Sequence, residues 1–484
     1  MVFDSCPEIE MSDPASLTSY HKVGWGDLLT GKNAIRSMAL AGGVALHAVN
    51  VYIATTILPS VVSDIGGLDY YAWNTTLFVV ASIIGSTLAV KLLRKTGPRK
   101  AYAISASVFA LGTLICAVSP TMQVLLIGRF IQGFGGGFML ALSYAMIRIV
   151  FPEALWPRAM ALISGMWGVA TLVGPAVGGI FAELGEWRAA FWSVVPAALL
   201  FAVMALFVLP EVRHEEEDTN RLPFAQLSLL TLAVFAVSLG SVSSEVIWNV
   251  IGISTAILLI GLMIRLEATS KNRLLPRGSF SFSQPLGPVI VTMSLLALTV
   301  TSVEVFIPLF LQVLHNQSPL VAGYLAALMG AGWTLGSIMS SGISSRRVRD
   351  VIIIGPLASF AGMVLLLLLL PFSSNGTYLE LLPLCAGFIA VGCGVGMTWP
   401  HLLTRVLKVA PADEKDLAST AITTVQLFSA GLGAAMAGMV TSLGGLTVPG
   451  GIAGTSSAAF WLFLSFGVGP LLAFLCASRM VKRW

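Results

Sequence analysis

Charged side chains are scarce in this sequence. Asp, Glu, Lys and Arg make up only 10% of its 484 residues, whereas 56% are hydrophobic. A soluble globular domain carries roughly 25% charged residues, so the composition excludes that class. The five cysteines are scattered and form no disulfide or metal-ligand framework.

Motifs for catalysis and nucleotide binding are missing as well. The sequence has no Gly-rich loop ending in Lys-Ser or Lys-Thr, and no Gly-x-Ser-x-Gly turn for a serine nucleophile. No His, Cys, Asp and Glu residues stand at a metal-binding spacing. We therefore expect a protein that is not an enzyme, does not hydrolyse ATP and uses no cofactor or metal.

Long apolar segments are what the sequence has in abundance. About 20 apolar residues are needed for a helix to cross the hydrocarbon core of a membrane. This criterion predicts fourteen membrane-spanning helices. They are expected at 38–60, 72–93, 101–119, 122–148, 157–182, 189–210, 225–243, 247–265, 285–313, 319–344, 351–372, 378–404, 418–443 and 455–478.

The basic residues predict the orientation of these spans. Of the 27 Lys and Arg, all but Arg129 and Arg188 fall in the termini or in loops that alternation places on one face. Short basic loops stay on the cytoplasmic side, so both termini are predicted to be cytoplasmic in an inner (plasma) membrane of bacterial type. The net charge of +4 then reflects topology and gives no indication of nucleic-acid binding.

Two longer polar stretches divide the chain into six, two and six spans. We predict a cytoplasmic N-terminal lead (1–37), a six-helix bundle (38–210), a two-helix insert with cytoplasmic loops (211–284) and a second six-helix bundle (285–480). The bundles look related, since the fourth span of each is glycine-rich, at Gly133–Gly137 and Gly392–Gly396. Repeated six-helix halves are typical of transporters that rock two bundles about a central site.

Five short motifs then resemble one family. Gly128-Arg129-Phe-Ile-Gln132-Gly133 resembles the span-four motif of major facilitator superfamily transporters, and Gly174-Pro175-x-x-Gly178-Gly179 resembles the span-five motif of its drug/proton antiporters. Three further motifs are similar to those of the fourteen-helix branch: Trp187-Arg188 with Phe191, Trp192 and Pro196; Leu274-Leu-Pro-Arg277; and Gln426-Leu-Phe-Ser-Ala-Gly431-Leu-Gly433. The resemblance covers residues 38–480.

The resemblance implies an all-α polytopic fold with two pseudo-symmetric halves, alternating access, and proton-coupled export of amphipathic organic compounds. It assigns a conformational role to the span-five motif, to Gly133 and to the turn Gly97, Arg99 and Lys100. The chain departs from the family where Arg94 replaces the Asp of that turn and Asn50 replaces an acid of span one. Ala161 and Ala170 replace two glycines of span five.

Two charged residues inside the spans are candidates for proton coupling. Glu304 is the one acid placed well within an apolar span, where an ionisable group is costly and usually faces the protein interior. It is interpreted as a proton carrier, with a protonated carboxyl that only packs helices as the alternative. Arg129 is the basic residue within a span. Either it couples proton movement to substrate, as the resemblance implies, or it extends to the membrane surface.

Neutral polar and aromatic residues are predicted to line the substrate cavity. Each could instead anchor its helix at the membrane surface or bond to a neighbouring helix. The candidates are His47, Asn50, Trp73, Asn74, Gln132, Tyr144, Trp399 and Gln426.

The prediction for the whole chain is a secondary active transporter, working as a monomer in the lipid bilayer, that exports small amphipathic organic substrates in exchange for protons. Two alternatives remain at this point. One is uptake or facilitated transport of a vitamin-like aromatic solute, and the other is a membrane sensor that does not transport.

Overall fold

The structure, a computed structural model, describes residues 24–211, 223–243, 245–270, 272–344 and 347–481. The first part of the predicted N-terminal lead (1–23) and the predicted cytoplasmic loop at 212–222 lie outside the described residues. Within those ranges every regular element is a helix, as the sequence predicts.

Fifteen α-helices follow one another along the chain. They are α1 (Trp25–Leu29), α2 (Gly31–Ile65), α3 (Trp73–Ala117), α4 (Met122–Val150), α5 (Trp156–Glu183), α6 (Trp187–Val208), α7 (Phe224–Ser241), α8 (Val246–Thr269), α9 (Leu286–Glu304), α10 (Ile307–Leu314), α11 (Pro319–Ser341), α12 (Val348–Leu369), α13 (Tyr378–Val409), α14 (Lys415–Leu443) and α15 (Gly451–Val481).

Thirteen helical stretches in the described ranges are long and apolar enough to cross a membrane, and one of them must cross twice. That stretch, Leu68–Ala117, has 50 residues, or about 75 Å at 1.5 Å per residue. The helix is interrupted at Gly97, and α4 touches both arms. Gly133 meets Phe78 of the first arm, while Gln132 meets Gly112 of the second. The chain therefore doubles back at Gly97, which gives the fourteen predicted crossings.

Spans one and nine differ from the prediction in ways that bear on the site. The lead predicted up to residue 37 is helical from Trp25, and α2 begins at Gly31, so the apolar run of span one is extended by polar helical turns at the membrane edge. Predicted span nine is not one helix. It stops at Glu304 and resumes at Ile307, because Pro308 in the first turn of α10 cannot continue an α-helical hydrogen-bond ladder.

The glycine-rich fourth spans pack in the same way in both halves of the chain. Cβ atoms built on Gly133 and Gly137 would lie 2.2 Å from the carbonyl oxygens of Phe78 and Ser82. In the second half, Cβ atoms on Gly392 and Gly396 would lie 1.9 and 2.0 Å from the carbonyl oxygens of Met329 and Trp333. Only glycine permits such close helix crossings, so the sequence repeat corresponds to a repeated contact.

Helices α2–α6 pack on one another, as do α9–α15, and we call these two groups the first and the second half, while α7 and α8 pack against each other and against α14. We call the side where α2 begins and α15 ends the basic side, and the opposite one the far side. On the basic side, Glu267 at the end of α8 accepts hydrogen bonds from the amides of Leu274 and Leu275 at 2.6 and 2.7 Å. Arg277 donates to Glu414 at 2.6 Å, and this pairing raises the pKa of the guanidinium further above its usual value.

Candidate functional site

Arg129 is buried inside the first half. Its side chain is only 2% exposed, its Nε donates to the backbone carbonyl of Asn74 at 3.2 Å, and its Nη1 donates to the Gln132 amide oxygen. The guanidinium carbon lies 4.2 Å from the centre of the Phe78 ring, a cation–π contact. The alternative in which Arg129 extends to the membrane surface is therefore wrong, because its hydrogen bonds hold it among α3 and α4.

Gln132 connects Arg129 to two further helices. Its Nε2 donates to Asn50 Oδ1 of α2 at 2.9 Å and to Thr113 Oγ1 of α3 at 2.8 Å. Three of the predicted cavity residues, Asn50, Asn74 and Gln132, thus meet in one buried group. Together with Thr113 and Arg129 they form what we call the Arg129 cluster. None of the ion pairs among the described residues includes Arg129.

His47 lies beside the Arg129 cluster, buried between α3 and α5. Its ring centre is 5.2 Å from that of Phe78 and 6.1 Å from that of Trp167 on α5. Its Nδ1 is buried without a hydrogen-bond partner, as are Asn50 Nδ2 and Asn74 Nδ2. Buried polar groups of this kind are costly unless water or a bound ligand supplies the missing hydrogen bond.

Glu304 stands at the break in span nine and faces the other half of the molecule. Its carboxyl faces the Tyr52 side chain of α2. Glu304 is half-buried at this position. It does not meet Arg129, so the two charged residues proposed for coupling occupy separate places.

The two halves touch closely on the far side, along the predicted span-five motif. A Cβ atom on Gly179 would lie 2.5 Å from Leu320 Cα, and one on Gly323 would lie 3.2 Å from Pro175 Cβ. The Leu320 amide donates to Glu183 at 3.3 Å, and Tyr324 donates to the Leu172 carbonyl at 3.2 Å. The far side is therefore closed in this state.

Gly174 and Gly178 face α2 instead. A Cβ atom on Gly174 would lie 2.3 Å from Tyr52 Cβ, and one on Gly178 would lie 3.1 Å from the Ile53 carbonyl oxygen. The glycines of the motif thus let α5 approach both α2 and α11, because a glycine has no side chain to separate the helices.

On the basic side, no neighbouring helix lies close to the glycines of α5. No atom comes within 4 Å of Cβ positions built on Gly165 and Gly168 of α5, and Trp167 between them is 36% exposed. Polar side chains in membrane-spanning segments normally avoid lipid, yet several in this region are exposed. They are Ser164 of α5, Thr334 of α11, and Ser419, Thr420 and Thr423 of α14. We infer from these exposed hydroxyls that the basic side carries a polar opening in this state.

Other predicted site residues lie apart from the Arg129 cluster and from Glu304. Trp73 donates its indole N–H to the Ser238 carbonyl of α7 at 3.2 Å, so it contacts the two-helix insert. Half-buried Tyr144 belongs to an apolar group at the basic end of the first half. Trp399 packs on Trp333 with ring centres 5.2 Å apart, within the second half. Gln426 is half-buried on α14.

The turn motif at Gly97 connects helices of the first half. Arg99 donates through Nε to the Leu209 carbonyl at 3.2 Å and through Nη1 to Glu211 at 3.4 Å, which ties the turn to the end of α6. Lys100 is exposed. The motif thus lies on the basic side, away from the contact between the halves.

Sequence reasoning missed Tyr52, Phe78, Thr113 and Trp167. Tyr52 was the most informative omission, because it is the group that Glu304 meets. Its one signal in the sequence is its position two residues after Asn50 on the span predicted to line the cavity. Among the described residues no group of three or more His, Cys, Asp or Glu could hold a metal ion.

Comparisons with known proteins agree with this architecture. A sequence profile described as "Major Facilitator Superfamily" matches residues 40–434. The chain belongs to the major facilitator superfamily. It is 34% identical to a probable multidrug-efflux transporter of Mycobacterium tuberculosis, over 98% of this chain and 99% of that protein. It is also 26% identical to multidrug resistance protein 3 of Bacillus subtilis, over 78% of this chain and 74% of that protein.

Solved structures of other major facilitator proteins have the same fold. A peptide transporter of the POT family, in complex with a thioalcohol-conjugated peptide, superposes with a TM-score of 0.67 at 14% identity, covering 92% of this chain and 96% of that one. A D-xylose–proton symporter superposes with a TM-score of 0.61 at 16% identity, covering 92% and 97%. As a major facilitator protein this chain is a transporter, and its closed far side and open basic side are one state of an alternating-access cycle.

Proposed function

We propose that this chain exports amphipathic organic compounds across the plasma membrane in exchange for protons. One observation carries the proposal: the carboxyl of Glu304 stands at a break in its helix and faces Tyr52 of the opposite half. A group that binds a proton at the contact between two moving halves can link protonation to their rearrangement. Carboxyls inside membrane proteins commonly have this role.

The relatives support export as the direction. The protein that is 34% identical over nearly the full length of both chains is named a probable multidrug-efflux transporter. The exposed surface of the opening also suits a flat amphipathic solute, since it combines Trp167 with the neutral hydroxyls of Ser164, Thr334 and Thr423. Broad apolar contact with few polar groups is usual for sites that bind organic compounds.

Orientation follows from the basic loops. We take the basic side to be cytoplasmic, so both termini are inside and the opening faces the cytoplasm. Substrate then enters from the cytoplasm, and protons enter from outside when the far side opens. A single chain contains both halves and is proposed to work as a monomer.

Within this cycle Glu304 carries the proton and Arg129 is a fixed positive charge that organises α2, α3 and α4. Across 100 mV, one proton moving inward releases about 2.3 kcal/mol, which supports a roughly 50-fold substrate gradient. A substrate gradient of that size can therefore be maintained without nucleotide hydrolysis.

The test uses purified protein in proteoliposomes with ethidium and a fluoroquinolone as substrates. A pH gradient that is acid on the far side should drive both compounds away from the basic side. Glu304→Gln should abolish gradient-driven transport while keeping downhill exchange of the same compounds. Glu245→Gln, which changes an exposed carboxyl between α7 and α8, is the matched control and should transport normally.

The outcomes separate the alternatives. Gradient-driven transport by Glu304→Gln at the normal rate would remove Glu304 from the mechanism. Accumulation in right-side-out vesicles, and not in everted ones, would replace export by uptake. Binding of ethidium without movement across the membrane would identify a sensor.

A further inference from the structure

Three buried hydroxyl groups without a hydrogen-bond partner belong to residues that line one small cavity on the far side. They are Tyr71 Oη, Ser442 Oγ and Thr447 Oγ1. Five buried hydroxyls lack a partner among the described residues, so this one cavity collects most of them. A buried hydroxyl costs free energy unless something supplies its hydrogen bond. Their collection around one space therefore indicates a common partner.

The cavity lies between the two halves of the molecule. Tyr71 joins α2 to α3 in the first half, whereas the other two residues belong to the end of α14 and to the loop after it, in the second. The rings of Tyr71 and Phe306 stack with centres 5.0 Å apart. A Cβ atom on Gly438 of α14 would lie 2.6 Å from Ala72 Cβ. A partner held in the cavity thus contacts both halves where they meet on the far side.

Backbone hydrogen bonds hold the residues that carry these hydroxyls. The Tyr71 amide donates to the Leu68 carbonyl at 3.0 Å, and the Gly445 amide donates to the Ser442 carbonyl at 3.1 Å. Tyr71 is 1% exposed and Ser442 is 7% exposed. Because both residues lie in hydrogen-bonded turns and are buried, their side chains have little freedom to find partners elsewhere.

The size of the cavity selects its occupant. Its volume is about 10 Å³, and a water molecule needs roughly 10–15 Å³. An organic compound is therefore too large, whereas a single water fits. A buried water usually makes about three hydrogen bonds, and a hydroxyl can both donate to it and accept from it. Three hydroxyls around this space match that requirement.

We propose that one ordered water molecule binds in this cavity and joins the two halves while the far side is closed. It bonds to Tyr71 in the first half and to Ser442 and Thr447 in the second. Hydrogen bonds through water are nearly as favourable as direct ones. When the halves separate, bulk water replaces the bound molecule at each hydroxyl, so the closing contact breaks without leaving a buried polar group unpaired. The water thus contributes to closure and exists only in this state.

X-ray radiolysis tests for the water directly, because a bound water split by the beam oxidises the side chain beside it even where bulk solvent does not reach. The full chain in detergent, without substrate, is irradiated, and oxidation of each tyrosine is measured by mass spectrometry. Tyr102 is the matched control, since it is 0% exposed and its hydroxyl donates to the Ala39 carbonyl at 2.7 Å. Tyr71 should be oxidised several-fold faster than Tyr102.

Variants separate a bound water from solvent that enters when the protein fluctuates. Thr447→Val combined with Ser442→Ala leaves the water a single partner, so oxidation of Tyr71 should fall to the rate of the control tyrosine. Thr441→Val is the matched control variant. Thr441 lines the same cavity, but its hydroxyl already donates to the Ala437 carbonyl at 2.8 Å, so this variant should keep the parent rate.

Thermal unfolding in detergent gives an independent measurement. If the water satisfies the three hydroxyls, the double variant should melt below the parent chain, because the Tyr71 hydroxyl then loses its partner. If the hydroxyls have no partner, their removal should leave the melting temperature unchanged or raise it.

The bridging role is measured by how readily the far side opens. Thr56→Cys places a thiol at a position that is 1% exposed in this state, beside Gly323. Its labelling by a membrane-impermeant maleimide is divided by that of Leu379→Cys, which is 84% exposed, after labelling of the parent chain is subtracted. Adding Tyr71→Phe, which keeps the ring but disconnects the water from the first half, should speed labelling several-fold. Adding Thr441→Val should not.

The proposal is overturned if Tyr71 is oxidised no faster than Tyr102, if the double variant keeps the parent oxidation rate, or if it melts at or above the parent. Unchanged labelling in the presence of Tyr71→Phe would overturn it too. Exposed Asp69 also lines the cavity. A rise in Tyr71 oxidation when sodium is omitted would therefore identify a cation in place of water and reject the proposal. None of these measurements involves substrate or Glu304, so they stand apart from the proposed function.

Discussion

At the scale of single residues, Arg129 shows how a buried charge is kept in the hydrocarbon region without an acid. Its guanidinium uses one edge for the Asn74 carbonyl, another for Gln132, and its face for the Phe78 ring. A planar group with several fixed donors can make these contacts at once, whereas a lysine ammonium is a compact, strongly hydrated charge. The identity of the cation therefore matters as much as its charge.

We expect Arg129→Lys to lose most transport and to lower the melting temperature in detergent. Loss of a buried hydrogen bond to a charged group costs about 1.5–3 kcal/mol, and Lys cannot reach both partners. Efflux in proteoliposomes and thermal unfolding measure the two effects. Arg148→Lys is the control, since exposed Arg148 makes only a long contact of 5.7 Å with the Trp156 ring. Normal stability of Arg129→Lys would show that the cluster needs only a positive charge.

The same residues show what sequence could and could not predict of the site. Asn50, Asn74 and Gln132 were selected because neutral polar residues are uncommon in apolar spans, and they do meet. Gln426 was selected on the same ground and Trp73 as an aromatic residue, and both lie elsewhere, because the side of a helix that faces the site depends on which helices surround it. Tyr52 could not be found this way. The two glycines that pack against it, Gly174 and Gly330, lie 122 and 278 residues further along the chain.

At the scale of elements, glycine sets both the turns and the closest crossings. Gly97 has φ 77° and ψ 167°, a region that residues with a side chain avoid, and it lies where α3 doubles back. The spans themselves were predictable, because length and apolar composition decide them. The break of span nine at Glu304 was not, since Pro308 alone is compatible with a kinked but continuous helix.

Gly97→Ala should destabilise the protein by about 1–3 kcal/mol, the usual cost of holding a side-chain-bearing residue in such a region. Thermal unfolding in detergent and the yield of folded protein are the measurements. The control is Gly261→Ala on α8, where nothing lies within 4 Å of the added methyl group. Equal melting temperatures for the two variants would show that the turn can adopt another conformation.

The repeated close crossings make a paired prediction. Gly133→Ala and Gly392→Ala should destabilise by similar amounts, about 1–3 kcal/mol each, because both methyl groups would collide with a backbone carbonyl that cannot move alone. Gly431→Ala is the control, since its Cβ would meet its nearest neighbour, Val79, at an ordinary 3.5 Å. A large effect at Gly133 with none at Gly392 would mean that the two crossings are not mechanically equivalent.

At the scale of the whole molecule, the structure is one end state of a cycle in which the far-side contact must break. Gly179 and Leu320 mark this contact, because a Cβ on Gly179 would lie 2.9 Å from Leu320 Cβ. Disulfides form between Cβ atoms about 3.5–4.5 Å apart, so a small movement lets two cysteines bond here. The double variant Gly179→Cys with Leu320→Cys should therefore be trapped with its far side closed after oxidation.

Trapping tests alternating access, because a carrier held in one state can bind but cannot transport. Oxidation of the double variant should stop net efflux from proteoliposomes, and a reductant should restore it. Ethidium should still bind from the basic side, where Trp167 and its polar neighbours remain exposed. The single variants Gly179→Cys and Leu320→Cys should each transport at the same rate before and after oxidation, which separates the crosslink from oxidation of the chain's own cysteines and from the effect of the added side chain. Efflux that continues through a fully formed crosslink would mean that substrate leaves by a path other than the far-side contact, and the two-half mechanism would then be wrong for this chain.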